Sequence, residues 1–240
     1  MDCIYRFRPY NDNTRRELSD GYLWFSKPSA FKDVDDSNVR LMIESNAILQ
    51  KAFSLALNAQ GLEELKRLMA HIGICCFTKD IPTIKNRTYF PHGKTSICVE
   101  YDKEKISRHF LSLGMPNCFK EVVYSNSPVK VEHDGAYHIL TKKDDEGECY
   151  ESILGMRYDT NRFMDKLLFF LLTRIKEKYK RQKELRIIWG GFRIVENEAL
   201  GYSVNIPKDC IENIYVYPDS PSEFTKAVKE LGYDIKTIVE

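Results

Sequence analysis

The sequence has 240 residues, of which 43% are hydrophobic and 30% charged, a composition typical of a globular protein that buries a substantial core. Its 36 basic and 35 acidic side chains nearly cancel, so the overall charge requires neither a nucleic acid nor a membrane as partner. No apolar run is long enough to cross a bilayer or to form a signal peptide, and we expect a cytoplasmic protein with no membrane partner. The 7 cysteines are scattered without a CxxC pair, which predicts reduced thiols in the core.

Two arginines stand inside the first apolar run of the chain. A strand is predicted over 3–8, where Arg6 and Arg8 alternate with apolar and aromatic side chains. Because an arginine is costly to desolvate, we expect at least one of them to point into a cleft that needs positive charge. The alternative is that both lie on the solvent face of an edge strand.

Apolar periodicity and capping residues predict the other elements. The predicted helices are 11–20, ended by Gly21, then 38–60 and 62–71, which form a helical insertion over 38–72, then 103–113, 161–183 and one that begins at a capping box over 220–223. The further strands predicted are 22–26, 74–78, 95–101, 119–125, 129–133, 184–189, 202–206 and 213–217. The continuous apolar run 74–78 suits a buried central strand. With no linker in the sequence, we predict one α+β domain over residues 1–240.

The end of the predicted helix 161–183 is strongly basic and leads directly into Glu184. Residues 174–183 include 6 lysines and arginines that could contact phosphates, although a solvated helix tail is an equally good interpretation. A carboxylate at the mouth of a strand among cations stays ionised at neutral pH and could stabilise a developing positive charge. The alternative is a surface glutamate in weak ion pairs with its basic neighbours.

An acidic loop follows the second predicted strand. Asp33, Asp35 and Asp36, with Glu44 nearby, could bind a divalent cation through carboxylate oxygens, or they could simply be solvated. The 5 histidines share no ligand spacing, so we assign them no metal role.

Five short segments carry a resemblance to a known family. They are residues 4–8 (IYRFR), 24–35 (WFSKPSAFKDVD), 76–78 (CFT), 96–102 (SICVEYD) and 183–187 (KELRI). In this order they resemble the motifs of an uncharacterised, mostly bacterial family known only as a domain of unknown function, some of whose relatives occur in phage-defence settings. Lys32 and Val34 replace an asparagine and a proline of that family, and residues 87–90 replace its Trp-x-His-Tyr segment.

The layout of these segments is also similar to that of ADP-ribosyltransferases. In that superfamily the first strand supplies a histidine or arginine that grips NAD, an aromatic ring packs on the nicotinamide, and a late strand supplies a glutamate. The resemblance implies an α+β fold with an ADP-ribosyltransferase-like split mixed sheet that carries a helical insertion. It also implies NAD as a substrate and no metal.

The same resemblance implies a role for each candidate residue. It assigns Arg6 and Arg8 to NAD, Ser26 and Thr78 to ribose or nicotinamide contacts, Tyr89 or Phe90 to stacking, and Glu184 to catalysis. Breaking the glycosidic bond of NAD creates oxocarbenium character, which a nearby carboxylate stabilises. An arginine satisfies the pyrophosphate or the adenosine-side ribose, and an aromatic face binds the nicotinamide ring.

Three hypotheses for the function follow. The first is an NAD-dependent ADP-ribosyltransferase of the toxin or phage-defence type, whose acceptor is a nucleic acid or a protein and whose partner is an antitoxin or a defence protein. The basic stretch 174–183 favours a nucleic-acid acceptor. The second is a metal-dependent nuclease that uses Asp33, Asp35, Asp36 and either Glu100 or Glu184. The third is a non-catalytic module that binds nucleic acid or a partner.

Overall fold

A computed structural model of the protein describes residues 2–31, 70–124, 130–133, 137–140, 172–190 and 200–238. Within these ranges the protein is α+β, with one large mixed sheet and short flanking helices, which confirms the predicted fold class at this level. None of the described helices has the length and apolar character needed to cross a bilayer.

Nine strands of the described residues form the large sheet. In chain order they are β1 (Cys3–Pro9), β2 (Tyr22–Ser26), β3 (Ile72–Thr78), β4 (Ser96–Asp102), β5 (Phe119–Glu121), β10 (Glu184–Gly190), β11 (Gly201–Asn205), β12 (Ile211–Val216) and β13 (Ile235–Thr237). Two smaller pairs lie apart from it: β6 (Val123–Tyr124) with β9 (Arg174–Ile175), and β7 (Lys130–His133) with β8 (Tyr137–Leu140). The predicted strand 119–125 is therefore divided between β5 and β6.

The sheet order places the first strand in the interior of the sheet. β1 lies between β3 and β4 and pairs with β4 along its whole length, and β12 and β13 continue beyond β4. On the other side, β3 pairs with β10 along its whole length. The apolar run 74–78 is thus in an interior strand, as its composition predicts, and the edge-strand alternative for β1 is wrong.

The sheet splits where β1, β2 and β3 meet. β1 and β3 share one register pair, Tyr5 with Thr78, and β2 and β3 share one, Ser26 with Ile74. Between these two points the strands diverge instead of pairing. The divergence leaves a gap in the sheet that side chains of all three strands surround.

Local capping residues fix the first two helices. Helix α1 (Asp12–Asp20) begins where the Asn11 side chain accepts a hydrogen bond from the Thr14 amide, at 3.0 Å, and ends at Gly21, whose φ of 72° suits glycine. Helix α2 (Lys103–Ser112) begins where the Asp102 carboxylate accepts from the amides of Glu104 and Lys105. Both helices pack their apolar faces on the sheet and form the main core with it, and both confirm the sequence-based prediction.

The basic stretch 174–183 is not α-helical, so the prediction of a helix as far as 183 is wrong. It consists of β9 and a 3-10 helix over Glu177–Gln182. Its few apolar residues cannot form a helical stripe, and Ile175 is buried beside β6 in a pairing that only the tertiary structure determines. The start of the predicted helix, 161–171, lies outside the described residues.

The last helix exists, but its predicted capping box does not form. Helix α3 (Ser222–Lys229) starts after Pro221, which makes no side-chain capping bond. The Ser220 hydroxyl instead donates to the carbonyl of Lys94, at 3.0 Å, and so ties the loop before β4 to this helix. Almost all of the predicted helical insertion 38–72 lies outside the described residues, as does the acidic loop with Asp33, Asp35, Asp36 and Glu44.

Candidate functional site

The gap between β1, β2 and β3 forms a cavity of about 250 Å³. Six of the seven residues proposed from the sequence line it, namely Arg6, Arg8, Ser26, Thr78, Phe90 and Glu184. They come from four strands and one loop, so the fold is what brings them together. The volume is slightly below the range of about 300–1,000 Å³ that is usual for small-molecule sites, which suits one part of a dinucleotide better than the whole of it.

Arg6 and Arg8 both contact the buried carboxylate of Glu17. Arg6 is buried, pairs with one Glu17 oxygen, and donates from Nη2 to the Trp24 carbonyl of β2, at 3.0 Å. The Nη2 of Arg8 lies 3.1 Å from the other Glu17 oxygen, and its side chain is 23% exposed. Two guanidinium groups therefore share one carboxylate, which leaves one positive charge beside the cavity.

Arg8 has unused capacity to bind an anion. Its Nε is buried and has no hydrogen-bond partner among the described residues. Burial and the neighbouring charge of Arg6 lower the pKa of Arg8, but arginine is basic enough to stay protonated. An anion in the cavity would balance the remaining positive charge by approaching the exposed part of the Arg8 side chain. Sequence reasoning identified this residue but not its partner Glu17, which the helix pattern alone does not distinguish from an exposed glutamate.

Glu184 is buried rather than on the surface. The residue is 8% exposed, and its two oxygens accept hydrogen bonds from Arg186, at 2.7 Å from Nε and 3.2 Å from Nη2. Arg186 is fully buried and also donates to the carbonyl of Leu172, at 2.7 Å. The expected surface ion pairs between Glu184 and the basic stretch are therefore wrong, because its bidentate partner is two positions along the same strand.

Arg186 is the functional candidate that sequence reasoning missed. Its signal was the strand period of two, which places Glu184 and Arg186 on one face of β10. Seven residues that line the cavity were also missed, among them Cys76 and Gln182. Cys76 is half-buried and is the register partner of Arg186, and Gln182 lies at the end of the 3-10 helix.

The aromatic candidates differ in position. Phe90 lines the cavity and stacks on Phe7, with ring centroids 4.4 Å apart and planes 7° from parallel. One face of Phe90 is therefore already covered. Tyr89 is not among the lining residues; its ring lies 5.9 Å from the guanidinium of Arg181.

The two smaller candidates lie where the strands pair. Ser26 is half-buried and ends β2 opposite Ile74. Thr78 is buried, and its hydroxyl oxygen accepts a hydrogen bond from the Asp80 amide, at 3.0 Å. Both positions place a hydroxyl group at the cavity wall.

Four residues align across the sheet in consecutive register. Glu100, Tyr5, Thr78 and Glu184 occupy β4, β1, β3 and β10 at paired positions. Glu100 accepts hydrogen bonds from Tyr5 at 3.2 Å and from Tyr215 at 3.1 Å, and also from Asn213. Three strand spacings put Glu100 about 14 Å from Glu184, too far for both carboxylates to bind one metal ion.

Metal-ligating side chains do not gather in the described part of the chain, where no group of three or more His, Cys, Asp and Glu could hold a metal ion. Comparisons with protein-family models, with curated proteins and with solved structures found no match to this chain. The function is therefore inferred from the geometry and chemistry of the cavity.

Proposed function

We propose that this protein is an NAD-dependent ADP-ribosyltransferase of the toxin or phage-defence type, with the cavity at the sheet split as its NAD site. One observation carries the proposal. Arg8 and Glu184 are far apart in the sequence, yet they line one cavity together with hydroxyl groups and an aromatic ring. NAD cleavage needs a cation for the pyrophosphate and a carboxylate near the ribose on a single bound ligand.

The arginine side of the cavity fits a phosphate oxygen. Arg8 contributes the uncompensated charge, and its ion pair with Glu17 holds its guanidinium in place. A charge-assisted hydrogen bond to such a donor contributes about 1.5–3 kcal/mol to binding. The small cavity would enclose one end of NAD, and the other end would lie outside it, over the cavity opening.

The carboxylate side fits the reacting ribose. When the glycosidic bond breaks, nicotinamide leaves with the bonding electron pair and positive charge develops on the ribose ring. Glu184 is held in place by two hydrogen bonds from Arg186 and lines the cavity, so its carboxylate would stabilise that charge while the acceptor attacks the anomeric carbon and releases its proton to solvent. The split mixed sheet supports the ADP-ribosyltransferase-like arrangement that the sequence resemblance implies.

A non-catalytic binding module is the second candidate, and one observation favours it. Both oxygens of Glu184 already accept hydrogen bonds from Arg186, as expected for a purely structural ion pair. If the protein is only a binding module, NAD will not raise its melting temperature.

The proposal is tested by incubating the protein with labelled NAD and a cell lysate, followed by separate protease and nuclease digestion. Label that resists one digestion and is released by the other identifies the acceptor as nucleic acid or protein. The absence of both NAD-induced stabilisation and label transfer would contradict the proposal. EDTA should leave the transfer unchanged, whereas a metal-dependent nuclease would lose its activity.

A further inference from the structure

A cluster of exposed cations lies on the segment that leads into Glu184. We call it the basic turn, and it consists of Lys176, Lys178, Lys180, Arg181 and Lys183. Its charge is local, since the whole chain has a formal net charge of only +1. Carboxylates of the described residues lie against two of these lysines: Glu177 is 3.7 Å from the Lys180 ammonium, and Asp80 is 2.6 Å from that of Lys183. Arg181 forms no ion pair with a carboxylate of the described residues, so the basic turn keeps an uncompensated cation there.

The basic turn is continuous with the cavity. Gln182, within the same 3-10 helix, lines the cavity, and Glu184 comes directly after Lys183, the last residue of the turn. Lys183 has a left-handed backbone, with a φ of 43°, and so allows the chain to turn sharply from the 3-10 helix into β10. A polymer bound along the turn would therefore reach the mouth of the cavity.

Aromatic rings lie among these cations. The Tyr179 ring centroid is 4.7 Å from the Lys178 ammonium, and the Tyr89 ring is 5.9 Å from the Arg181 guanidinium. Both tyrosines are half-buried residues, neither fully enclosed by the protein. Cations that track a phosphate backbone, combined with rings on which unpaired bases stack, are the usual features of a site for single-stranded nucleic acid.

We propose that the basic turn binds single-stranded nucleic acid and presents it as the acceptor to the cavity. That the bound nucleic acid is the acceptor of ADP-ribose rests on the proposed function. The binding itself does not require NAD chemistry. An acidic protein segment would match the charge but would gain nothing from the rings, so the nucleic acid is the better fit.

Binding of a fluorescent 12-nucleotide oligo-dT, measured by anisotropy between 50 and 200 mM salt, tests the inference. The test variant is Lys178→Ala/Lys180→Ala/Arg181→Ala, and the matched control is Lys226→Ala/Lys229→Ala, which removes two exposed cations of α3. Each lost phosphate contact should reduce the slope of log affinity against log salt by about 0.7, so the test variant should lose about 2. The control should bind like the wild type.

Melting temperature, competition binding and the thermal shift with NAD complete the test. Melting temperatures check that all the proteins fold. Equal affinity of the test variant and the wild type would overturn the inference, as would equally strong competition by polyglutamate, which would indicate an acidic protein partner. Thermal shift with NAD is measured on the same proteins: if NAD stabilises none of them while oligo-dT binding still depends on the basic turn, the proposed function fails and the binding surface stands.

Discussion

At the scale of single residues, Glu184 and Arg186 form a buried ion pair at the cavity. A carboxylate with 8% exposure would be costly to bury alone, and Arg186 compensates its charge through two hydrogen bonds. Each oxygen accepts one bond from the guanidinium and retains a second lone pair, so the carboxylate can still interact with a ligand. The same pair is thus compatible with a structural and a catalytic role.

A double-mutant cycle on this pair has a definite expected result. Glu184→Gln and Arg186→Met should each lower the free energy of unfolding by about 3–5 kcal/mol, because each leaves an uncompensated buried partner. The double variant should lose less than either single variant, since both charges are then gone. Urea denaturation of the four proteins measures this, and strictly additive losses would show that the two side chains do not interact.

At the scale of secondary structure, the split between β1, β2 and β3 creates the cavity. Full pairing of β1 with β3, like that of β1 with β4, would close the space in which the candidate residues meet. Cys76 lies on the wall of this gap, whereas Cys3 is equally half-buried but lies outside it. The two thiols therefore offer a test of where NAD binds.

NAD should protect Cys76 but not Cys3 from alkylation. At an NAD concentration ten times the Kd, the rate at Cys76 should fall about tenfold, because only about a tenth of the cavities are then empty. Burial and Glu100 raise the pKa of the Cys3 thiol to about 11, so Cys3 reacts slowly and each residue is compared with its own rate without NAD. Mass spectrometry of the labelled peptides gives both rates, and unchanged labelling of Cys76 at saturating NAD would place the ligand elsewhere.

The positions of many strands could be predicted from the sequence, because the residues that determine them lie within each segment. The strands over 3–8, 22–26, 74–78 and 184–189 agree with the structure to within two residues, because apolar runs and capping groups lie within each segment. The failure over 174–183 has the opposite cause. Pairing of Ile175 with β6 is a tertiary contact that no local pattern encodes. Arg186 was missed as the partner of Glu184 for a similar reason. The strand spacing indicates that the two side chains share a face, but it does not indicate that they are buried.

At the scale of the whole molecule, another buried carboxylate, Glu100, links β1 to the strands on its β4 side. Glu100 of β4 accepts hydrogen bonds from Tyr5 of β1 and from Asn213 and Tyr215 of β12, and Lys236 of β13 lies 3.8 Å away. Burial alone would raise the pKa of Glu100, but hydrogen bonds from Asn213, Cys3 and Tyr215 and the charge of Lys236 lower it below its ordinary value of 4.5. Glu100 thus stabilises the fold in its ionised form.

The stability that Glu100 contributes should depend on pH in a predictable direction. Because its pKa is lower in the folded than in the unfolded state, the contribution is complete above pH 4.5 and is lost as the pH falls through the folded-state pKa. Glu100→Gln should cost about 1–3 kcal/mol at pH 7 and flatten the acid part of the stability curve. Denaturation at pH 7, 4 and 3 tests this, with the exposed Glu230→Gln as control. A wild-type acid profile in Glu100→Gln would contradict it.

The central claim is that Glu184 is the catalytic carboxylate of an NAD-dependent transferase, and label transfer from NAD by Glu184→Gln tests it most directly. NAD should still raise the melting temperature while transfer falls on the order of 10²-fold or more, as expected when an electrostatic transition-state group is removed. The double variant Glu184→Gln/Arg186→Met, which removes the uncompensated arginine, should be more stable than Glu184→Gln but equally inactive. The control variant Glu121→Gln should keep the wild-type activity. Transfer by Glu184→Gln at the wild-type rate would contradict the claim and leave Glu184 with only a structural role.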